Sequence, residues 1–475
     1  MTKSLNRLTL VILLGFAVVA LSLMYWSVLI SDSMLARDDN PRRVEDERAI
    51  VRGGIYDRNG QILAQTLVVG KSPSGQQVVK REYPHPDAAA AVGYYSLVHG
   101  VGGIEASFDK QLRGDDLRDT GQIALDSLLH RPEVGSDVRL TLDIGLQSAI
   151  IKALNGQQGA VIVFDVPSGA VLAMVSEPSY DPNTLDANYD VLRKATSSPL
   201  LNRVTQGLYQ PGGSLESVML SAMLTNKADL AAPVTDAGKP VIVNGLTLTC
   251  AAQGSPATLQ DAYALACPAV FVNAVLNQPG PAPVQKMFDS FGLLQASNLA
   301  NFETFSGRAV TPLDQITDPV QLTTQAVGQG SLTVTPIQMG LVVATIANHG
   351  NTITARLADA IRKPGATDWQ LLTTTDTAKA VLPQNITDQL GTAMRQAVTG
   401  GAAHAADRPN LAVHGHASIA YTGPRQQQAA WFIGYVDLPN GHSAAVAVVI
   451  ENAKDASIAA DIGGTTLQVA SQISH

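Results

Sequence analysis

Between Leu8 and Ile30 the chain carries no charged side chain, and that run decides where the rest of the molecule must fold. Coiled as a helix it would extend about 34 Å, enough to cross the hydrocarbon core of a bilayer. Lys3 and Arg7 precede it, and Tyr25 and Trp26 lie near its far end, where aromatic rings favour the membrane interface. A cleaved secretory signal is the competing reading. The run is longer than an ordinary signal core and no clear A-x-A cleavage site follows it. The expectation is therefore an uncleaved single-pass anchor in the cytoplasmic membrane, N-terminus inside, with the bulk of the chain outside. Arg37, Arg42 and Arg43 blur the charge rule, but this orientation fits a segment that exports everything after it.

Export has chemical consequences. Cys250 and Cys267 are the two cysteines, and an oxidising compartment permits a disulfide between them. Hydrophobic residues make up 45% of the chain, enough to predict a sizeable core. The net charge of −8, with no basic block, argues against a nucleic-acid partner. The histidines are scattered without zinc-ligand spacing, so neither metal nor other cofactor is expected.

Three regions follow from texture: 1–36 as cytoplasmic N-terminus and anchor, 37–139 as a small stalk module, and 140–475 as a mixed α/β domain. VRGGIYDRNGQILA at 51–64 alternates around a DRNG turn and predicts a hairpin. Residues 65–135 read as irregular. The apolar runs at 159–166 and 170–176 flank Pro167-Ser168-Gly169, a second predicted hairpin. Leu215, Val218, Met219, Ala222 and Met223 space out a buried helix face. Helical stretches are also predicted at 258–266 and 269–276, separated near Pro268. Thr335-Pro336-Ile337-Gln338 is a capping box opening a helix that runs to about Asn348. AAWFIGYVDL and SAAVAVVIEN flank Pro439-Asn440-Gly441 as a C-terminal hairpin, and a last helix is expected over 464–473. This order predicts an α+β domain of helices packed on an antiparallel sheet.

Taken together, these segments resemble class B penicillin-binding proteins. RGGIYDRNGQILA at 52–64 and the stretch 83–114, around V-G-Y and G-x-E, are similar to the two segments after that family's anchor. LTLDIGLQ at 140–147 looks like the start of its transpeptidase domain, and 159–183 like the first hairpin there. SPLLNRVTQGLYQPG at 198–212 resembles the approach to the catalytic serine; 326–350 and WFIGYVDL at 431–438 also match in kind. The resemblance implies a serine D,D-peptidase and β-lactamase-like fold, an envelope location and a role in peptidoglycan assembly. With no glycosyltransferase module ahead of it, class B is implied rather than class A.

The family's chemistry needs S-x-x-K, which sets serine and lysine one helical turn apart so that the hydroxyl is activated. S-x-N and K-T-G complete the proton relay and the binding wall. At the first motif this chain has Gly213 and Glu216; a register shifted by one offers Ser214 with Ser217. At the second it has Cys267-Pro268-Ala269. At the third it has His416-Ala417-Ser418, or, shifted, Tyr421-Thr422-Gly423, again without lysine. Loss of all three predicts a chain with no catalytic residues of the family type.

Ser214 is the fallback nucleophile, but a helix N-cap with Glu216 in the first turn accounts for the same pattern. Cys267 and His416 would make a thiolate–imidazolium pair if both were free; a Cys250–Cys267 disulfide is the simpler expectation. His414 reads as a surface or satisfied core histidine, Asp57 and Arg58 as turn residues, Glu105 and Arg113 as solvated or structurally paired, and WFIGY as a core strand. The implied function is a catalytically inactive scaffold or regulator of cell-wall synthesis. The resemblance implies a SEDS-family glycan polymerase as membrane partner, with peptidoglycan as a further one. Two alternatives stand: an active D,D-transpeptidase or carboxypeptidase with a non-standard nucleophile, and a non-covalent sensor of stem peptides or β-lactams.

Overall fold

The apolar runs of the second half build a five-stranded antiparallel sheet, in the order Val413–Thr422, Gln427–Asp437, Ser443–Glu451, Gly159–Val166, Val171–Glu177. This computed structural model describes residues 2–25, 50–71, 77–117, 134–243, 245–299, 302–304, 311–373, 378–422 and 427–473. Alternate residues of each strand face opposite cores. Ile162 and Phe164 join one with Met339, Val343 and Trp431; Val161 and Val163 join the other with Leu146, Phe432 and Leu467. A sheet covered on both faces explains why its strands read as nearly unbroken apolar runs rather than as strict alternation.

Helix Pro336–Ala347 covers the first face, opened by the capping box of Thr335 and Gln338. Helices Ile144–Leu154 and Ala456–Ala470 cover the second. The last helix begins well before residue 464. Asp455 caps it by accepting from the Ser457 amide at 2.9 Å. Gly463 and Gly464 do not break it: a Cβ on Gly463 would lie 2.1 Å from Phe432 Cδ1, so this glycine allows close packing of helix on sheet.

The segment after residue 50 is more regular than its sequence indicates. Ile55–Tyr56 and Ile62–Lys71 form the expected hairpin, with Asp57 accepting turn amides from Asn59 and Gln61 at 2.8 and 2.7 Å. Gln77–Glu82 extends it, and Asp137–Leu140, Ala358–Arg362 and Gln370–Leu371 complete a six-stranded sheet. The boundary read at 139/140 thus falls at the end of a strand that pairs with residues more than two hundred positions later. Glu105 is fully buried beneath this sheet between Arg52 at 2.9 Å and Arg81 at 2.6 Å. Burial pushes its carboxyl up, but the two guanidinia outweigh that and hold it below the ordinary range. Arg113 pairs with Asp115 nearer the surface.

Thr2–Met24 is one helix, and its described apolar side chains, Phe16, Val18 and Leu21 among them, are exposed. Among the described residues no helix is long and apolar enough to cross a membrane. The single span expected over Leu8–Ile30 is therefore not supported by the described residues, which cover that run only as far as Tyr25. Positions 26–30 and the stalk residues 37–49 lie outside the described residues.

Candidate active site

The first motif position is held by a short framework. Tyr209 and Val334 exchange backbone hydrogen bonds of 3.0 and 2.8 Å. The Tyr209 hydroxyl donates to Glu451 at 2.7 Å, and Trp431 Nε1 donates to the Gln210 carbonyl at 3.2 Å. These bonds press the 3-10 turn Gly212–Leu215 against strand Val413–Thr422. Gly212 has φ of 52°, and a Cβ there would lie 2.6 Å from Ala420 Cα, so glycine is required.

Gly213 faces Ser418. A Cβ on Gly213 would stand 2.7 Å from Ser418 Cβ and 3.2 Å from its Oγ. Ser418 therefore fills the space into which a side chain at 213 would project. Glu216 opens helix Glu216–Thr225 and is 4% exposed; His416 is wholly buried on the facing strand. His416 Nε2 lies 3.2 Å from the Gly213 carbonyl and 3.3 Å from Glu216 Oε2. A carbonyl only accepts, so Nε2 carries the proton and donates it to Gly213. Glu216 Oε2 is off the hydrogen-bond line and has no hydrogen-bond partner; neither has His416 Nδ1. Burial pushes the Glu216 carboxyl above the ordinary range, and His416 acts in the opposite sense. Tyr263 stacks on the imidazole with ring centroids 4.4 Å apart, and its hydroxyl shares a hydrogen bond of 2.7 Å with Ser217.

The second motif position offers no polar group to this cleft. Cys267 is joined to Cys250 in a disulfide with Cα atoms 4.0 Å apart. Its sulfur is not free, so no Cys267–His416 thiolate pair exists in this structure. Ala269 is buried in the first turn of helix Pro268–Leu276, and Ala417 lies in the sheet core.

Ser214 is not the helix N-cap that its position predicts. The turn already begins at Gly212, and the Ser214 hydroxyl bends back to donate to the Pro211 carbonyl at 2.7 Å. Wholly buried and so engaged, it is poorly placed to attack anything. Of the shifted third motif, Tyr421 and Thr422 end the strand, and residue 423 lies outside the described residues. His414 is half-buried, bonded through Nδ1 to the Gly391 carbonyl at 2.8 Å and stacked on Tyr435.

Gly213, Glu216 and Ser418 line a cleft of about 190 Å³, whose walls also include Cys250, Gln329 and Lys454. Sequence reasoning missed Tyr263, Gln329 and Lys454. Tyr263 shares its helix face with core residues, and no spacing rule marks a residue that only touches the site across the fold.

Comparison with known proteins places this geometry. The profile of the penicillin-binding protein transpeptidase domain matches residues 159–473, and that of the penicillin-binding protein A dimerisation domain matches residues 52–138. The peptidoglycan D,D-transpeptidase PbpA of Mycolicibacterium smegmatis is 29% identical over 99% of both chains. The crystal structure of PBPA from Mycobacterium tuberculosis is similar with a TM-score of 0.78 at 24% identity, covering 89% of this chain and 99% of that one. The imipenem acyl-enzyme complex of penicillin-binding protein A from M. tuberculosis is similar at 25% identity, with a TM-score of 0.78 and coverage of 90% and 99%.

Proposed function

This chain belongs to the class B penicillin-binding protein family, and from that premise we propose that it is a non-acylating member serving peptidoglycan synthesis as a scaffold or regulator. One observation carries the reading: the motif positions have changed in matched pairs. In the family pattern, 213 bears a side chain and 418 is glycine; here the sizes are exchanged, and Ser418 fills what Gly213 leaves empty. In the family pattern 216 and 416 are both lysine; here a carboxylate and an imidazole stand 3.3 Å apart. Random decay would be expected to leave a cavity at 213 or a buried carboxylate remote from any group able to carry positive charge, each costing about 1–5 kcal/mol. Matched changes keep the domain folded without its chemistry.

The chemistry itself has no agent at the usual place. Glycine has no nucleophilic atom, and Glu216 cannot act as the cationic partner of the family's lysine. The homologous penicillin-binding protein A forms an acyl-enzyme with imipenem; this chain lacks the serine and lysine such a reaction needs. The membrane anchor is part of the proposal. It rests on the uncharged run and on apolar side chains exposed around helix Thr2–Met24, a pattern suited to lipid. A SEDS-family polymerase as partner rests on the family resemblance of residues 52–114.

Labelling with a fluorescent penicillin tests the proposal; no covalent band is expected. One observation favours a second reading, in which the nucleophile has moved. Ser418 Oγ is buried beside the old serine position and has no hydrogen-bond partner. A stoichiometric adduct mapped to Ser418 would establish that reading and remove the first.

A further inference from the structure

One strand pair stands clear of both cores. Beyond Ala64, strand Ile62–Lys71 pairs only with Gln77–Glu82, which forms the edge of the six-stranded sheet. Leu67, Val68 and Val69 are 39%, 55% and 58% exposed, and Val78 and Val79 on the facing strand are half-buried. Successive residues of a strand point to opposite faces, so exposure of Leu67 and Val68 together means that the ribbon is covered on neither face. An apolar edge of this kind favours association with something outside the fold.

Charge and position identify the occupant. From Gln65 to Arg81 the chain carries Lys71, Lys80 and Arg81 and no carboxylate, in a protein whose net charge is −8. Arg81 turns inward to Glu105, whereas Lys71 and Lys80 are exposed, and Lys80 stands opposite Leu67 on the ribbon. An apolar patch bordered by ammonium groups suits the interface of an anionic bilayer, where valines enter the acyl boundary and lysines reach the phosphates. The chain also enters this module against the base of the ribbon. Thr66 Oγ1 donates to the Arg52 carbonyl at 2.9 Å, and Arg81 to the Gly53 carbonyl at 2.8 Å. Residues 26–49 lie between the apolar N-terminal helix and that entry, a tether of at most about 80 Å. A bilayer that receives the helix is therefore within the ribbon's range.

We propose that the ribbon of Leu67–Lys71 and Val78–Lys80 is a second membrane contact, docked on the surface of an anionic bilayer. Val68 and Val69 enter the acyl boundary, and Lys71 and Lys80 pair with lipid phosphates. The contact holds the N-terminal module against the membrane instead of leaving it to swing on its tether. The inference rests on the anchoring proposed above and is independent of whether the cleft can be acylated.

Fluorescence quenching of the full-length chain, reconstituted in vesicles of phosphatidylglycerol and phosphatidylcholine, tests it. An NBD fluorophore is placed on Val69→Cys; both natural cysteines are held in their disulfide and do not react. Val191→Cys, at a position 72% exposed on helix Leu185–Lys194, is the labelled control. Lipids with a nitroxide near the headgroup end of the acyl chain quench a fluorophore that lies within the bilayer. Quenching at position 69 and not at 191 is expected. Each lysine near an anionic surface strengthens binding about fivefold, so Lys71→Glu with Lys80→Glu should lower the docked fraction, as should vesicles of phosphatidylcholine alone. Quenching at 69 no greater than at 191, or undiminished by the paired lysine substitutions, would overturn the proposal. Shielding of position 69 that needs co-reconstituted cell-wall synthesis proteins would assign the ribbon to a protein partner and overturn it too. A chain that does not float with the vesicles would overturn the anchor and the ribbon contact together, whereas one that floats without quenching at 69 would overturn the ribbon contact alone.

Discussion

Gly213 and Ser418 carry the most local prediction. Introducing Gly213→Ser into the present cleft sets a new Cβ 2.7 Å from Ser418 Cβ. Overpacking of this kind costs about 1–3 kcal/mol, so urea denaturation should show a loss in that range. Adding Ser418→Gly should return most of it, a non-additive result expected for residues in contact; strictly additive effects would mean that the two sizes are unrelated. Glu216 gives a pH signature. Its folded carboxyl binds the proton more tightly than the unfolded one. As pH rises, the unfolded state therefore loses its proton first, and stability falls from the ordinary glutamate range up to the raised folded value. Glu216→Gln should remove that slope, and the variant should gain on the wild type as pH rises; a constant difference across the titration would contradict it. The candidate motif positions were read from the surrounding segments, which set their register. Their pairing was not. Gly213 and His416 are 203 residues apart in the chain, and no local rule announces that the two meet. Ser214 misled for a nearer reason: the positive φ of Gly212 starts the turn early and spends the hydroxyl on Pro211.

At the scale of elements, the hairpins and capped helices were readable because their signals are local. Thr335 and Gln338 complete a capping box by themselves, and the apolar runs at 159–166 and 443–451 need only a covered sheet to explain them. Helix Gln384–Gly400 follows Pro383 with no side-chain cap, so no start signal marks it. The six-stranded sheet was illegible because Ala358–Arg362 pairs with Asp137–Leu140 across more than two hundred residues. The last helix shows the limit of propensity. Gly463→Ala should favour the isolated helix by up to about 1 kcal/mol. In the fold its Cβ meets Phe432 at 2.1 Å. Packing should win, and thermal melting should show net destabilisation of about 1–3 kcal/mol; a raised melting temperature would show that helix and sheet can part without cost.

For the whole molecule, the proposed scaffold role sets the body of the fold apart from the cleft. If the chain serves through a membrane partner, cleft substitutions that preserve folding should not matter to assembly. Glu216→Gln should leave co-purification with cell-wall synthesis proteins unchanged, while replacing residues 1–36 with an unrelated anchor, or deleting 52–114, should abolish it. The reverse pattern would favour a ligand sensor over a scaffold. The central proposal is narrower: the protein is not acylated by penicillin at any of the motif positions. Intact-mass measurement of the full-length chain after prolonged exposure to excess penicillin tests it most directly. The account predicts the unmodified mass at every time point. A stoichiometric increase equal to one penicillin, on Ser418 or on any other residue, would contradict it.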